Sequence, residues 1–247
     1  MYPVVVLSGG LATRMRTYTE KIPKAMIDIA GKPFIHWQLV MLKEQQVEHV
    51  ILCIGHLGEM IEAYAGDGSE YGLKLTYSYD GDKLLGTGGA IKKIEDDLPD
   101  IFFVLYGDSY LEIPYAPLVN AFASSGKKGL MTVYENADLY DVSNVIFQNG
   151  ELITYRKHDK VKEMRHIDYG LGILRKEAFR EFPADEVFDL AEVYEKLVNE
   201  KQLLGFEVFK RFYEIGSPGG LQELREHLKR QPGRQCTQVH TEVRSDL

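Results

Sequence analysis

Apolar residues along the chain come in short unbroken runs, separated by polar and glycine-rich stretches. Residues 3–7, 50–54 and 101–106 form runs rich in β-branched and aromatic residues, the pattern of strands buried on both faces. Over residues 33–45, Phe34, Trp37, Met41 and Leu42 fall on one helical face, and Pro33 suits a first helical turn. Residues 58–64 read as a helix and 73–79 as a strand, and a glycine-rich loop leads to a short helix from Ala90. Such alternation predicts an α/β fold with a mainly parallel sheet. The second half is richer in strand patterns, at 130–134, 145–147, 152–155 and 169–174. A helix over 188–198 and short strands over 206–209 and 212–215 follow. Ser217-Pro218 opens a last helix, with serine as N-cap and proline at the first helical position. Residues 231–247 carry little apolar content and read as a polar tail, leaving 1–230 as one domain.

Composition narrows the setting. A chain of 247 residues is long enough for one core, burying roughly 70–75% of its unfolded surface. A formal charge of -8 argues against non-specific binding to nucleic acid or anionic membrane. No apolar run approaches the ~18 residues of a membrane span, and the N-terminal run is too short for a signal segment. A soluble, cytoplasmic protein is expected. The two cysteines, Cys53 in an apolar run and Cys236 in the tail, imply neither a disulfide framework nor a metal site. The seven histidines lack zinc-ligand spacing.

Four segments carry candidate chemistry. Leu7-Ser8-Gly9-Gly10, directly after a buried strand, can turn sharply and offer backbone N–H groups to phosphate oxygens, with Arg14 as a bidentate clamp. It lacks the Gly-Lys-Ser/Thr ending of a P-loop, and an ordinary turn beside a solvated arginine gives the same letters. Lys24, after Ile22-Pro23, can reach a phosphate as a point charge or be a surface lysine. Gly86-Thr87-Gly88-Gly89, before a helix, can hold an anion or a base edge through backbone groups, or be a flexible loop. Asp108, ending the third apolar run after Gly107, can hold Mg²⁺ beside a triphosphate or cap a turn. Gly107-Asp108-Ser109 also begins a hydrolase motif with Ser109 as nucleophile, but no Gly-x-Ser-x-Gly elbow accompanies it.

Together and in this order, these segments resemble the nucleotide-sugar pyrophosphorylase superfamily, over residues 3 to about 229. Gly9 to Arg14 match Gly-Gly-x-x-x-Arg, Pro23-Lys24 a Pro-Lys pair, Gly86 to Ala90 a Gly-x-Gly-Gly-Ala loop and Gly107-Asp108 a metal motif. Heptose-1-phosphate guanylyltransferases share the stretch around Gly86. Muramate-1-phosphate uridylyltransferases share one like Gly66-Asp67-Gly68-Ser69 with Tyr71-Gly72-Leu73. Ser8, Ala12, Ala25 and Glu214 depart from the usual alanine, glycine, proline and aspartate, which bears on the branch rather than the reaction. The resemblance implies a Rossmann-like nucleotidyltransferase (GT-A-like) fold: a mostly parallel mixed sheet with a β-rich acceptor-binding part. It leaves no room for the left-handed β-helix domain of some relatives.

By the same resemblance, an acceptor phosphate oxygen attacks the α-phosphorus of a nucleoside triphosphate and pyrophosphate leaves. Leu7, Gly9, Gly10, Arg14, Gly86 and Thr87 hold the nucleotide, Arg14, Lys24 and Asp108 act in catalysis, and Asp108 with Glu214 holds Mg²⁺. Asn144, Lys157, Asp168 and Tyr169 are the candidates facing the acceptor. The implied reaction joins a heptose- or mannose-type sugar 1-phosphate to a triphosphate, GTP favoured, for surface-polysaccharide synthesis, and a homodimer is allowed for. Other readings are uridylyl or cytidylyl transfer to an amino sugar 1-phosphate or a small non-sugar phosphate, and a non-catalytic nucleotide sensor. The charged set Arg14, Lys24, Asp108 and Glu214 favours an enzyme over a sensor. A metal-dependent glycosyltransferase would want an Asp-x-Asp that Asp108-Ser109-Tyr110 does not supply.

Overall fold

The computed structural model describes residues 1–10, 13–81, 83–184 and 186–230. The first apolar run forms β1 (Val4–Ser8). Side chains alternate across a strand, so Val4 and Val6 enter one apolar layer while Val5 and Leu7 enter the other. A short helix α1 (Arg16–Thr19), a two-residue hairpin of β2 (Asp28–Ile29) and β3 (Lys32–Pro33), and helix α2 (Phe34–Glu44) follow. Pro33 is the N-cap of α2 in extended backbone rather than a residue of its first turn. β4 (His49–Ile54), α3 (Gly58–Ala65) and β5 (Lys74–Tyr79) come next, then α4 (Gly86–Lys93) and β6 (Ile101–Tyr106). β4 and β6 repeat the two-sided burial of β1. Cys53 is the core residue expected: burial pushes its thiol up to about 12, so it stays protonated.

The remaining elements are β7 (Ser109–Tyr110), α5 (Ala116–Ser125), β8 (Gly129–Glu135), β9 (Val145–Gln148), β10 (Glu151–Tyr155) and β11 (His166–Arg175). Then come α6 (Leu190–Asn199), β12 (Leu203–Val208), β13 (Tyr213–Glu214) and α7 (Pro218–Lys229). The main sheet runs β10-β9-β11-β6-β1-β4-β5, with β8 on β11 and β12 on β8. β5, β4, β1 and β6 are parallel, whereas β11 meets β6, β8 and β9 antiparallel. Helices α2, α3, α5 and α7 bury residues in one layer against the sheet, and α4 and α6 in the other. Among the described residues no helix is long and apolar enough to cross a membrane.

Several elements differ from the expectations, among them the short α1, β2, β3 and β7, which have no counterpart in the sequence reading. α4 starts at Gly86, four residues before Ala90, because the carbonyl of Phe188 receives the N–H groups of Gly88 (3.1 Å) and Gly89 (3.3 Å) and stabilises its first turn. Helix α5 has no counterpart in the sequence reading, and only Leu118 and Phe122 of it are buried. The last helix starts as expected: Ser217 Oγ accepts the Gly220 N–H at 3.0 Å. The polar tail expected beyond Arg230 lies outside the described residues, as do Leu11 and Ala12 of the first glycine loop.

Candidate active site

Parallel strands leave their carboxyl ends along one edge, where open α/β sheets bind ligands. A cavity of about 530 Å³ lies there, and every site residue named above lines it, from Leu7 to Glu214. Close approach explains the glycines at these strand ends. A Cβ on Gly107 would lie 2.2 Å from Ser8 Oγ and 2.4 Å from the Leu7 carbonyl, so the turns after β1 and β6 fit only without one.

The middle of the cavity belongs to Asp108. Lys24 donates from Nζ to its Oδ2 at 2.7 Å, with both side chains half-buried. Asp108 is fixed from behind. Gln38, fully buried on α2, donates through Nε2 to the carbonyls of Tyr106 (3.2 Å) and Ser109 (3.0 Å). The Asp108 carbonyl accepts the Ile215 N–H at 3.0 Å. β7 pairs antiparallel with β13, with Ser109 opposite Glu214, and this small sheet brings the second carboxylate alongside. A Cβ on Gly216 would stand 2.8 Å from Glu214 Oε2, 3.1 Å from Asp108 Oδ2 and 3.3 Å from Arg14 Nη2, so three charged groups converge there.

Glu214 also touches the start of α7, accepting from the Gly216 N–H and the Ser217 hydroxyl. Burial raises its carboxyl pKa, opposed by those two hydrogen bonds and by Arg14, while Asp108 adds to the rise. Among the described residues no three His, Cys, Asp or Glu side chains form a metal cage of their own. Two neighbouring carboxylates instead suit Mg²⁺, which keeps waters and shares phosphate oxygens with a substrate. Ser109 is buried in β7, away from the role of a free nucleophile.

On the β11 side, Asp168 accepts from the Tyr106 hydroxyl (3.2 Å) and the Gly170 N–H (3.0 Å). Burial pushes its carboxyl up to about 6 against those bonds and the Lys157 charge, with Asp189 adding to the rise. Asn144 accepts the Asp168 N–H at 2.9 Å, which makes it a brace for that strand. Tyr169 contributes an aromatic face, with Tyr134 and Phe212 packed round its ring. Lys157 pairs with Asp189, the N-cap of α6, and the Thr87 hydroxyl donates to Asp189 Oδ1 at 3.1 Å. Thr87 thus ties α4 to α6.

Gln38, Asp80, Tyr106, Asp141, Arg156, Lys160 and Asp189 were missed in the sequence reading. Asp80 carries the signal that singled out Asp108, a carboxylate just after a strand. Asp189 with Glu192 spells a capping box. Gln38 gives no signal, being one polar residue on an otherwise apolar helix face.

Residues 3–140 match the family model described as nucleotidyl transferase. The chain belongs to that family. This nucleotidyltransferase is 28% identical to D-glycero-alpha-D-manno-heptose 1-phosphate guanylyltransferase of Campylobacter jejuni, with 87% of this chain and 94% of the relative covered. It is 29% identical to UTP–glucose-1-phosphate uridylyltransferase of a Synechocystis strain, over 79% of this chain but 55% of that protein. The chain therefore spans about half of that longer relative. The solved structure of HddC from Yersinia pseudotuberculosis complexed with GMP-PN superposes with a TM-score of 0.76 at 27% identity, covering 92% of this chain and all of that one.

Proposed function

We propose that this nucleotidyltransferase joins a manno-configured sugar 1-phosphate to GTP, giving a GDP-sugar and pyrophosphate for surface-polysaccharide synthesis. The observation that carries this reading is the single cavity that runs from the Gly9-Gly10 turn past Lys24 and Asp108 to Asp168. The guanylyltransferase whose length this chain nearly matches supports the choice of GTP and sugar.

In this reading, N–H groups after β1 and the Arg14 guanidinium bind the triphosphate. An oxygen of the sugar phosphate forms a bond to the α-phosphorus. The bond from that phosphorus to the α–β bridging oxygen breaks, and the electron pair leaves with pyrophosphate. Lys24 moves from Asp108 to the phosphates and neutralises charge as it builds, so positioning and electrostatics supply the catalysis. Asp108 and Glu214 would hold Mg²⁺, which when bound offsets charge on the α- and β-phosphates. Lys157 faces the acceptor phosphate, and Asp168 accepts from sugar hydroxyls against the Tyr169 face. A matrix of GTP, UTP, CTP and dTTP against sugar 1-phosphates, read by pyrophosphate release, tests this. GTP with a mannose- or heptose-type acceptor should give the fastest release. Release with UTP and a glucose-type acceptor alone would favour the uridylyltransferase reading, and none with any pair would sink nucleotidyl transfer.

A further inference from the structure

The cavity has a direction. The glycine turn follows β1, Asp108 follows β6 and Asp168 lies on β11, in the order of the sheet. In the reading above, phosphates lie over the β1 turn and the acceptor against β11, with Lys157 facing the acceptor phosphate. Lys157 follows the end of β10 on a bend, and a lysine stem is flexible. Something must hold its ammonium in place.

Asp189 does so from a fixed position. Its Oδ2 accepts from Lys157 Nζ. Its Oδ1 accepts the Ala191 N–H at 2.9 Å, as the N-cap of α6, and the Thr87 hydroxyl at 3.1 Å. Thr87 is the second residue of α4, and its hydroxyl accepts the Leu190 N–H at 2.8 Å. The Asp189 N–H donates to Glu192 Oε1 at 3.0 Å. The neighbouring Phe188 receives the Gly88 and Gly89 N–H groups and donates its own N–H to the Leu85 carbonyl at 3.1 Å. The carboxylate is thus pinned between α4 and α6, and the lysine comes to it. A helix cap needs one oxygen, as Ser217 shows on α7. The second oxygen of Asp189 is therefore surplus to capping. The ion pair adds little to stability either, since its side chains are 44% and 38% exposed. An ammonium has three donors, so one on Asp189 leaves two for phosphate oxygens.

We propose that Asp189 is a positioning residue for the acceptor. Its Oδ2 holds the Lys157 ammonium at the β11 end, in fixed register with α4, so that the acceptor phosphate is received where in-line attack requires it. Asp189 touches neither substrate and acts only through Lys157. This role rests on the reading of Lys157 as the acceptor-phosphate lysine.

Steady-state pyrophosphate release with GTP saturating and mannose 1-phosphate varied tests it on four forms of the full chain: wild type, Asp189→Asn, Lys157→Ala and the double variant. Asparagine keeps a capping oxygen but turns an amide donor towards the ammonium. Asp189→Asn should raise the acceptor KM about 10-fold or more, with the KM for GTP, the kcat and the melting temperature nearly unchanged. Lys157→Ala should raise the acceptor KM further, because it leaves the Asp189 carboxylate unpaired and facing an anion. Adding Asp189→Asn to Lys157→Ala should then make nothing worse and recover part of the loss, whereas a cap role alone would add a second defect. Asp189→Ser, which keeps one capping oxygen, should repeat the Asp189→Asn result and decides the matter should that variant not fold. A normal acceptor KM in the folded Asp189 variant, defects that multiply in the double variant, or an equal rise in the KM for GTP overturns the proposal. An acceptor defect in Lys157→Ala without one in Asp189→Asn overturns Asp189 alone and leaves the acceptor reading standing. A normal acceptor KM in Lys157→Ala removes the acceptor reading of Lys157 and this role with it.

Discussion

The two ends of the cavity are built on different principles. From β5 to β6 the strands are parallel, and their contribution is largely backbone: tight turns at Gly9, Gly55 and Gly107 where a Cβ would collide with a neighbouring loop. At β11 the strands are antiparallel, and the wall is made of side chains from distant segments. Asp168, Tyr106, Tyr155 and Lys157 meet there only because the sheet folds back on itself. A triphosphate is the same ligand whatever the acceptor, so a fixed backbone cradle suits it. A sugar is distinguished by its hydroxyls, which side chains read. Asp108 and Lys24 sit at the junction.

That contrast can be broken first at the junction. If Asp108 holds Mg²⁺ as proposed, Asp108→Asn should lower turnover by a factor on the order of 10² or more with the fold intact, because a charged ligand is lost where both ends meet. Single-turnover pyrophosphate release alongside a melting curve checks it, and near-normal turnover would remove the metal assignment. Next comes the β11 wall, the proposed acceptor side. Asp168 has a folded pKa of about 6, above the unfolded value of about 3.9. The folded state therefore holds the extra proton between those values, and stability falls as pH rises through about 4 to 6, then stays flat. Asp168→Asn should remove that slope and gain at most about 3 kcal/mol at pH 7. Its KM for the acceptor should rise while nucleotide binding holds. Urea titrations across pH check the first half, and a variant no more stable than wild type at pH 7 would contradict it. The smallest effect is at Glu214, which serves Asp108 and α7 together. Glu214→Gln removes a charge that burial disfavours, so stability should hold or rise slightly, while the Mg²⁺ concentration for half-maximal rate rises. An unchanged Mg²⁺ requirement would leave Glu214 as a helix partner only.

The same contrast explains what the sequence disclosed. β1, β4 and β6 were legible because burial on both faces demands unbroken apolar runs. The glycine turn and Asp108 were legible because they lie next to those runs, and Lys24 because it follows Ile22-Pro23 on the loop after the first of them. The pairing of β7 with β13 was not, since two residues have no periodicity, although it is what aligns Glu214 with Asp108. Nor was the commitment of the Gly86 loop, which depends on a carbonyl some hundred residues later in the chain, that of Phe188. Gln38 and Asn144 act by bracing backbone, a role that residue type alone does not announce.

The direction of the cavity is the claim on which the rest hangs, and a crystal structure with GDP-mannose and Mg²⁺ bound tests it most directly. The account predicts the base beyond the Gly9-Gly10 turn, the diphosphate between Arg14 and Asp108, and the sugar against Asp168 and Tyr169. A nucleotide-sugar lying the other way round, with its base against β11, would contradict it.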